Sequence, residues 1–341
     1  MKTLKFALIG AGFWSRYQLA AWRELAGAQC MAICNRTQSK AKTLADEFSV
    51  PHVYDQIDTM LDREELDFVD IVTDVDNHPR HVQQVAARGL PVICQKPMAS
   101  SLAQATEMVD ACRGAGVPFQ VHENWRWQRP LRELKAELDR NLIGRVFRAR
   151  IDYINSFPVF ENQPFLKTLE TFIIADMGSH ILDVARFLFG EASSLYCQTA
   201  RVHPDIQGED VASVHLRMPS EAMVSCHLSY ASRVERDHFP ETFVLVEGDK
   251  GSLELGPDYW VRTTTEEGTR SRRVAPPHYA WADPRYALVH SSIVECHRNL
   301  LHSLRTGEPS ETSGEDNLKT MELVYRSYES QARNAVIPLT S

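Results

Sequence analysis

The 341-residue sequence lacks the features that would place it among membrane or nucleic-acid-binding proteins. No apolar run reaches the length of a membrane span, so we expect no membrane partner. Basic residues are not in excess: 37 Lys and Arg face 45 Asp and Glu, which gives a net charge of −8. Nucleic acids and anionic membrane surfaces attract a basic face, so this charge argues against both. The short N-terminal apolar run is interrupted by glycines and predicts a first strand instead of a signal peptide.

Cysteine is present but lacks the spacing of a disulfide framework or of a zinc site. The seven cysteines are scattered, odd in number, and include no C-x-x-C pair. This usage is typical of reduced thiols, and we therefore expect a cytoplasmic protein. His78 and His81 have no further ligands at metal spacing, so we predict no metal site.

Two kinds of hydrophobic pattern divide the chain. Up to residue 124, apolar runs alternate with helical segments, which predicts an α/β domain with a parallel sheet covered on both faces. From residue 125 to residue 341, the apolar residues mostly alternate with polar ones. This pattern predicts an α+β domain with a large, mostly antiparallel open sheet. Helices are expected within it at about 176–189, 288–305 and 314–333.

The first predicted strand runs directly into the segment GAGFWS, which opens a helix. Gly10 permits a tight turn, and Gly12 lets the backbone approach a pyrophosphate at the positive end of the helix. Ser15 occupies the third position of the G-x-G-x-x-G pattern and is small enough for close packing of helix and strand. The strand–glycine–helix order therefore predicts a dinucleotide-binding, doubly wound domain over residues 1–124.

The end of the second strand bears on the choice of cofactor. An acidic residue there usually binds the ribose 2′-hydroxyl of NAD, but this sequence has Asn35 followed by Arg36. Asn35 can bind a hydroxyl without repelling a phosphate, and Arg36 could pair with the 2′-phosphate of NADP. Alternatively, Arg36 simply points to solvent. The two residues alone favour NADP or tolerance of both cofactors.

Lys96 follows the fifth predicted strand and precedes a proline. In a doubly wound sheet, that strand end lies near the nicotinamide end of the cofactor. The proline restricts the backbone of Lys96 and biases it toward an extended conformation. A lysine ammonium placed there could hydrogen-bond a substrate hydroxyl and stabilise the developing alkoxide. A solvated surface lysine is the alternative interpretation.

The segment DMGSH places Asp176 and His180 four residues apart, on one face of a predicted helix. Histidine is a natural base near neutral pH, and the carboxylate can orient either the imidazole or the substrate. The alternative is a histidine packed on a helix with an aspartate near its start. Asp183 lies one turn further on and could be structural, paired with Arg186.

Taken together, GAGFWS, the QKP after the fifth strand, DMGSH, VTDVDNH and VEGDKGSLEL resemble the glucose–fructose oxidoreductase / inositol dehydrogenase / MocA family over nearly the whole chain. The resemblance implies that Lys96, Asp176 and His180 are the catalytic set, and that NAD is the cofactor, with NADP as the alternative. It implies cofactor contacts from the following residues: Gly10, Gly12, Phe13, Trp14, Thr73, His78, Gln95, Lys96 and Asn124. Asn35 and Arg36 complete the predicted cofactor site.

The sequence departs from the family pattern at three of these positions. Gln95 replaces a glutamate beside the lysine, Asp74 replaces a loop proline, and Asn35 replaces the ribose-binding aspartate. The first two changes affect local geometry, and the third affects the choice between NAD and NADP. None of them removes the predicted chemistry.

The resemblance implies oxidation of a sugar hydroxyl by hydride transfer to NAD(P), with a small sugar as the substrate. Alternatives are another aldose, inositol or polyol dehydrogenase, an NAD-dependent redox glycosidase, and a non-enzymatic dinucleotide sensor. The segment after the sixth strand mixes aromatic and polar groups, as sugar sites do. The predicted sugar-binding residues are Glu123, Trp125, Arg126, Trp127 and Asn155. The tryptophans could instead fill a domain seam. The open sheet of the 125–341 domain could pair with a copy of itself, which predicts a homodimer or homotetramer.

Overall fold

A computed structural model describes residues 2–235 and 238–339 of the chain. The chain forms two compact units. One unit comprises residues 1–124 and 278–321, and the other comprises residues 125–277 and 322–341. Among the described residues, no helix is long and apolar enough to cross a membrane.

The first unit contains a six-stranded sheet in which every pairing is parallel. Its strands are β1 (Leu4–Ile9), β2 (Ala28–Cys34), β3 (His52–Tyr54), β4 (Phe68–Ile71), β5 (Val92–Gln95) and β6 (Phe119–His122). Their spatial order is β3-β2-β1-β4-β5-β6, which is the doubly wound order of dinucleotide-binding domains. The predicted fold of this region is therefore confirmed.

Helices connect these strands, as the pattern predicted. They are α1 (Phe13–Arg23), α2 (Gln38–Phe48), α3 (Ile57–Arg63), α4 (His78–Ala86) and α5 (Leu102–Gly114). The four residues of β4 and the four of β5 are all buried. This burial explains why the strands read as continuous apolar runs, since helices cover both faces of such a sheet.

The second unit contains a nine-stranded sheet that is antiparallel except where β7 pairs with β10. Its strands are β7 (Val146–Ile154), β8 (Ser194–Ala200), β9 (Val211–Arg217), β10 (Met223–Ser229), β11 (Phe243–Gly248), β12 (Gly251–Gly256), β13 (Trp260–Thr265), β14 (Gly268–Arg273) and β15 (Ile337–Pro338). The order is β14-β13-β12-β11-β7-β10-β9-β8-β15, which confirms the predicted mostly antiparallel sheet.

Two helices of this unit pack on one face of the sheet. They are α6 (Arg129–Asp139), which packs on β12 and β13, and α8 (Ser179–Phe189), which packs on β7 and β10. The short helix α7 (Val159–Asn162) follows β7 along the chain. The other face carries polar cross-strand pairs such as Arg148 with Glu247 (2.8 Å) and Ser213 with His227 (3.0 Å). One apolar and one polar face account for the alternation in the sequence.

The remaining long helices are α9 (Ala287–Thr306) and α10 (Gly314–Arg333). The break between residues 124 and 125 lies where the sequence placed the domain boundary, but residues 278–321 belong to the first unit. The expectation of one uninterrupted second domain over 125–341 therefore needs correction. The physical reason is that α9 packs against α1 and β6. An amphipathic pattern reveals that a helix has an apolar face, but not which sheet that face covers.

Candidate active site

The glycine turn after β1 has the conformation that a dinucleotide requires. Gly10 has a φ of +113°, and a Cβ placed on it would lie 2.1 Å from the carbonyl oxygen of Val72. Only glycine fits there. Gly12 begins α1, and a Cβ placed on it would meet no atom within 4 Å. The helix start is therefore open, and a pyrophosphate can approach its amides. These residues fit NAD or NADP.

Asn35 and Arg36, at the end of β2, take different positions. The amide of Ala11 donates to Asn35 Oδ1 (3.2 Å), and Asn35 Nδ2 donates to the carbonyl of Thr37 (3.0 Å). Asn35 therefore ties the glycine turn to the second strand through its side chain. Arg36 is exposed.

Aromatic residues surround the start of α1. Phe13 is 78% exposed, and its ring contacts Tyr17 at 5.1 Å between centroids. Trp14 contacts the same tyrosine at 5.8 Å. Tyr17 in turn stacks on His290 of α9 at 4.3 Å. The predicted cofactor residues Phe13 and Trp14 thus belong to an aromatic cluster that contacts α9 through Tyr17 and His290.

His78 joins the two loops that follow β4 and β5. Its Nδ1 lies 3.1 Å from the carbonyl oxygen of Pro97 and 3.2 Å from that of Met98. Its Nε2 lies 3.0 Å from the carbonyl oxygen of Thr73. Burial lowers the pKa of His78, although these carbonyls act in the opposite direction. Both ring nitrogens thus face carbonyl oxygens of the two loops, and the contact of His78 with a cofactor stays a prediction.

Lys96 leaves the carboxyl end of β5 and is half-buried. Its backbone amide donates to Gln95 Oε1 at 2.8 Å. Gln95 Nε2 donates to Gln18 Oε1 at 3.0 Å. Because the amide of Gln95 is bonded to protein groups at both ends, its side chain supports the lysine backbone. A contact of Gln95 with the cofactor stays a prediction.

Two predicted site residues follow β6. Asn124 Nδ2 donates to Ser292 Oγ (2.8 Å) and to the carbonyl of Val289 (3.4 Å). The neighbouring Glu123 is fully buried. Both side chains therefore lie within the first unit, and α9 fixes the orientation of the Asn124 amide.

Asp176 and His180 lie at the junction of two kinds of helix. Asp176 belongs to a π-helical turn, Ile174–Gly178, and His180 to the first turn of α8. The predicted helix over 176–189 thus begins as a π turn, a feature that is frequent at functional sites. The His180 ring stacks on Trp125 at 4.4 Å between centroids. Trp125 Nε1 donates to Thr242 Oγ1 at 2.9 Å, which fixes the indole.

Glu209 holds the segment that carries Asp176. Its carboxylate accepts from the amides of Phe172 (3.1 Å) and Ile174 (3.1 Å). It also accepts from the hydroxyl of Tyr328 (2.7 Å), whose oxygen accepts from the amide of Ala175 (3.0 Å). This carboxylate and phenol therefore bind three backbone amides at the entrance to the π turn, and the carbonyl of Glu209 accepts from the amide of Ile173 (3.1 Å). Burial, followed by the proximity of Glu209, raises the pKa of Tyr328.

Arg126, a predicted sugar-binding residue, forms an ion pair within the second unit. Its guanidinium is buried and donates twice to Asp183, at 2.7 and 2.6 Å. The expected pairing of Asp183 with Arg186 is present as a longer ion pair, with Arg186 Nη1 3.8 Å from the carboxylate, and Arg186 also donates to Glu191. A buried bidentate pair of this kind orients α8. A role of Arg126 in sugar binding stays a prediction.

The other predicted sugar-binding residues have separate environments. Trp127 is buried, and the guanidinium of Arg132 lies 4.3 Å from its ring centre. Asn155 Oδ1 accepts from the amide of Phe157 at 3.0 Å. Asn155 Nδ2 is buried and has no hydrogen-bond partner among residues 2–235 and 238–339. A role of Asn155 in sugar binding stays a prediction.

Sequence reasoning missed Asp70, Gln18 and Glu209. Asp70 stands inside the apolar strand β4 and is completely buried, and this break in an apolar run was a signal in the sequence. Gln18 and Glu209 carried no such signal, because their partners lie 52 and 119 residues away. No group of side chains among the described residues could hold a metal ion.

Known proteins match both units. Residues 4–123 match a family described as an oxidoreductase family with an NAD-binding Rossmann fold, and residues 131–254 match a GFO/IDH/MocA C-terminal domain. D-apiose dehydrogenase from Paraburkholderia graminis is 42% identical over 100% of this chain and 91% of its own. D-apiose dehydrogenase from Rhizobium rhizogenes is 38% identical over 99% of this chain and 98% of its own.

Solved structures agree with these sequence matches. An oxidoreductase from Agrobacterium radiobacter, crystallised with NAD+, L-tartaric acid and magnesium, is 38% identical with a TM-score of 0.97. The match covers 99% of this chain and 98% of that one. A levoglucosan dehydrogenase in complex with NADH and levoglucosan has a TM-score of 0.87 at 18% identity and shows the fold alone.

Proposed function

Because this chain belongs to the GFO/IDH/MocA oxidoreductase family, we propose that it is an NAD-dependent dehydrogenase that oxidises D-apiose to its lactone. Family membership, the NAD-binding Rossmann domain and the enzyme class, an NAD-dependent sugar dehydrogenase, were predicted from the sequence and are confirmed. The identity of the sugar, the roles of individual residues and the oligomeric state are proposals.

One observation carries the proposed chemistry. The glycine turn follows β1, Thr73 follows β4 and Lys96 follows β5. These three neighbouring parallel strands all end at one edge of the sheet. Ligands of doubly wound sheets bind at that edge, where the strand order reverses. This arrangement supports a role for Lys96 at the redox centre.

The cofactor would be held by the open start of α1, by Asn35 and by the loops after β4 and β5. When bound, NAD accepts the hydride that leaves the substrate carbon. Lys96 donates a hydrogen bond to the oxygen on that carbon and stabilises the negative charge that develops as the carbonyl forms. The hydroxyl proton goes to His180, so the sugar loses one hydride and one proton in all.

Asp176 and the surrounding residues orient these groups. Asp176 accepts a hydrogen bond from His180 or from a second sugar hydroxyl. The imidazole of His180 stacks on the indole of Trp125, and this contact fixes the orientation of the imidazole plane. The predicted contact of Asn155 with another hydroxyl would use its Nδ2 as the donor, since this atom has no hydrogen-bond partner among the described residues.

The proposal is tested by recording absorbance at 340 nm with a panel of aldoses and polyols, D-apiose included. We expect NADH to accumulate in proportion to the lactone, with D-apiose giving the highest kcat/KM. Preference for another aldose or polyol would correct the substrate. Sugar cleavage without net NADH would identify a redox glycosidase, and dinucleotide binding without turnover of any sugar would identify a sensor.

The alternative cofactor is tested at Arg36, which is exposed beside the glycine turn. If NAD is the cofactor, Arg36→Ala should change its KM less than about threefold, as exposed charges contribute little. A KM for NADP that is low in the wild type and rises at least tenfold in Arg36→Ala would instead establish a 2′-phosphate contact.

We also propose a cytoplasmic homodimer or homotetramer in which the polar face of the nine-stranded sheet pairs with a second copy. Cross-strand pairs such as Arg148 with Glu247 lie on that face. Light scattering should give two or four times the 38.7 kDa chain mass. A monomer at micromolar concentration would refute this assembly.

A further inference from the structure

A chain of buried hydrogen bonds runs through the first unit from the middle of β4 to the backbone of Lys96. Gln18 Nε2 donates to both carboxylate oxygens of Asp70, at 3.0 and 3.1 Å. Gln95 Nε2 donates to Gln18 Oε1 at 3.0 Å, and the amide of Lys96 donates to Gln95 Oε1 at 2.8 Å. Trp22 Nε1 also donates to Asp70, at 2.8 Å.

Each link of this chain has a fixed direction. An ionised carboxylate only accepts hydrogen bonds, so it requires the NH₂ end of the Gln18 amide. Gln18 therefore presents its oxygen to Gln95 and requires the NH₂ end of that amide. Gln95 is left with its oxygen toward the N–H of Lys96. The contact of Gln95 Nε2 with His122 Nδ1 at 3.4 Å is consistent with this orientation.

The carboxylate of Asp70 and the N–H of Lys96 require the same orientation of both amides, and without Asp70 one of these two fixed ends of the hydrogen-bond chain would be lost. A turned Gln95 amide would place an NH₂ group against the N–H of Lys96, which is a repulsive donor–donor contact. Asp70, Gln18 and Gln95 are all buried, so water is not available to replace a lost partner. A mismatched pair of donors or acceptors in this series of buried hydrogen bonds therefore costs free energy.

We propose that Asp70 and Gln18 are positioning residues for Lys96: the carboxylate fixes the direction of both glutamine amides, so that Gln95 holds the backbone N–H of the catalytic lysine. This inference rests on the proposed function of Lys96. Burial raises the pKa of Asp70 to about 6, which leaves the carboxylate ionised at pH 7.5 and able to fix the direction.

A substitution at either end of the hydrogen-bond chain mismatches one pair of side chains. Substitutions at both ends reverse the hydrogen bonds that Gln18 makes with residues 70 and 95, so that every pair matches again. In Gln95→Glu, the new carboxylate lies against Gln18 Oε1, which places two acceptors together. If the Gln18 amide turns to donate to the glutamate, its oxygen lies against the carboxylate of Asp70 instead. In Asp70→Asn, an NH₂ group faces either Gln18 Nε2 or Trp22 Nε1. The double variant satisfies every link: Asn Nδ2 donates to Gln18, Gln18 donates to the glutamate, and the glutamate accepts from Lys96.

The test measures kcat and KM of the four proteins for the sugar at pH 7.5. We expect each single variant to lower kcat at least about tenfold with a smaller change in KM, since one buried pair is mismatched. The double variant should return to within about threefold of the wild-type kcat. Gln29→Glu adds the same charge at an exposed position and should not change kcat. A double variant no more active than Gln95→Glu would overturn the inference.

A second measurement does not depend on activity. Gln95→Met removes the acceptor while keeping the side-chain length, so hydrogen exchange of the Lys96 amide should become at least about tenfold faster. Unchanged exchange would refute the hydrogen-bond chain. If Lys96→Met kept full turnover, the proposed function would fail, while the exchange rate would still report on the chain itself.

Discussion

The two units hold their predicted catalytic residues by different means. In the first, Lys96 follows a buried parallel strand, and its backbone is bonded to the neighbouring side chain of Gln95. In the second, Asp176 lies in a π turn whose amides are bonded by Glu209 and Tyr328, which are distant in sequence. The strand end is therefore set locally, whereas the π turn depends on partners that only the folded unit brings together.

The largest effect on kcat is expected in the first unit, where neighbouring residues position Lys96. Lys96→Met removes the ammonium group but keeps the length and apolar character of the side chain. We expect kcat to fall by about three orders of magnitude, as when other groups that stabilise a developing oxyanion are removed. Steady-state kinetics measures this, with Lys40→Met on the exposed surface of α2 as the control. Retention of more than a tenth of kcat would contradict the assigned role.

Arg126→Met tests whether a buried ion pair of the second unit serves structure or sugar binding. Removing the guanidinium deprives the buried Asp183 of its bidentate partner and leaves Arg186 at 3.8 Å, and breaking a buried pair costs up to about 3–5 kcal/mol of unfolding free energy. Urea denaturation gives this value.

The double variant Arg126→Met, Asp183→Leu serves as the matched control for that pair. It should recover most of the lost stability, because neither member of the Arg126–Asp183 pair remains and Arg186 keeps its partner Glu191. A variant Arg126→Met with unchanged stability but a KM for sugar raised more than tenfold would show a direct substrate contact instead.

The free energy of unfolding should depend on pH because of Asp70 in the first unit. Burial raises its pKa from 3.8 to about 6, against the hydrogen bonds from Trp22 and Gln18. Between these values the unfolded chain has lost the proton and the native state retains it, so stability falls as the pH rises from about 4 to about 6. The full difference is about 3 kcal/mol. In Asp70→Asn this component should vanish from a plot of unfolding free energy against pH; an identical slope in both proteins would contradict it.

Glu209→Gln has the smallest expected effect and tests the distant partners of the π turn. The amide keeps one acceptor but turns an NH₂ group toward backbone donors, which should cost about 2 kcal/mol of stability. We expect kcat to fall about tenfold, because Asp176 is displaced, with little change in the KM for NAD. Glu266→Gln, on the exposed surface, is the control. Equal kinetics in the two variants would remove Glu209 from the positioning of Asp176.

The same comparison explains what the sequence could predict. Gly10, Gly12 and Lys96 were recognisable because a tight turn and a strand end depend on neighbouring residues. The parallel sheet was recognisable because strands buried on both faces are apolar throughout. The hydrogen-bond chain from Asp70 through Gln18 was not recognisable, since hydrogen bonds between α1 and β4 leave no periodic pattern in the sequence. The same limit applied to Glu209 and Tyr328, and to the pairing of Arg126 with Asp183.

The return of α9 to the first unit has a consequence for biosynthesis. His297 of this helix stacks on Trp22 at 3.8 Å between ring centroids, and both side chains are buried. A ribosome that has released only residues 1–124 has not yet supplied the surface that covers Trp22. The nascent nucleotide-binding half must therefore wait, partly uncovered, until most of the polypeptide has emerged, and a fragment cut after Asn124 should need a chaperone or precipitate.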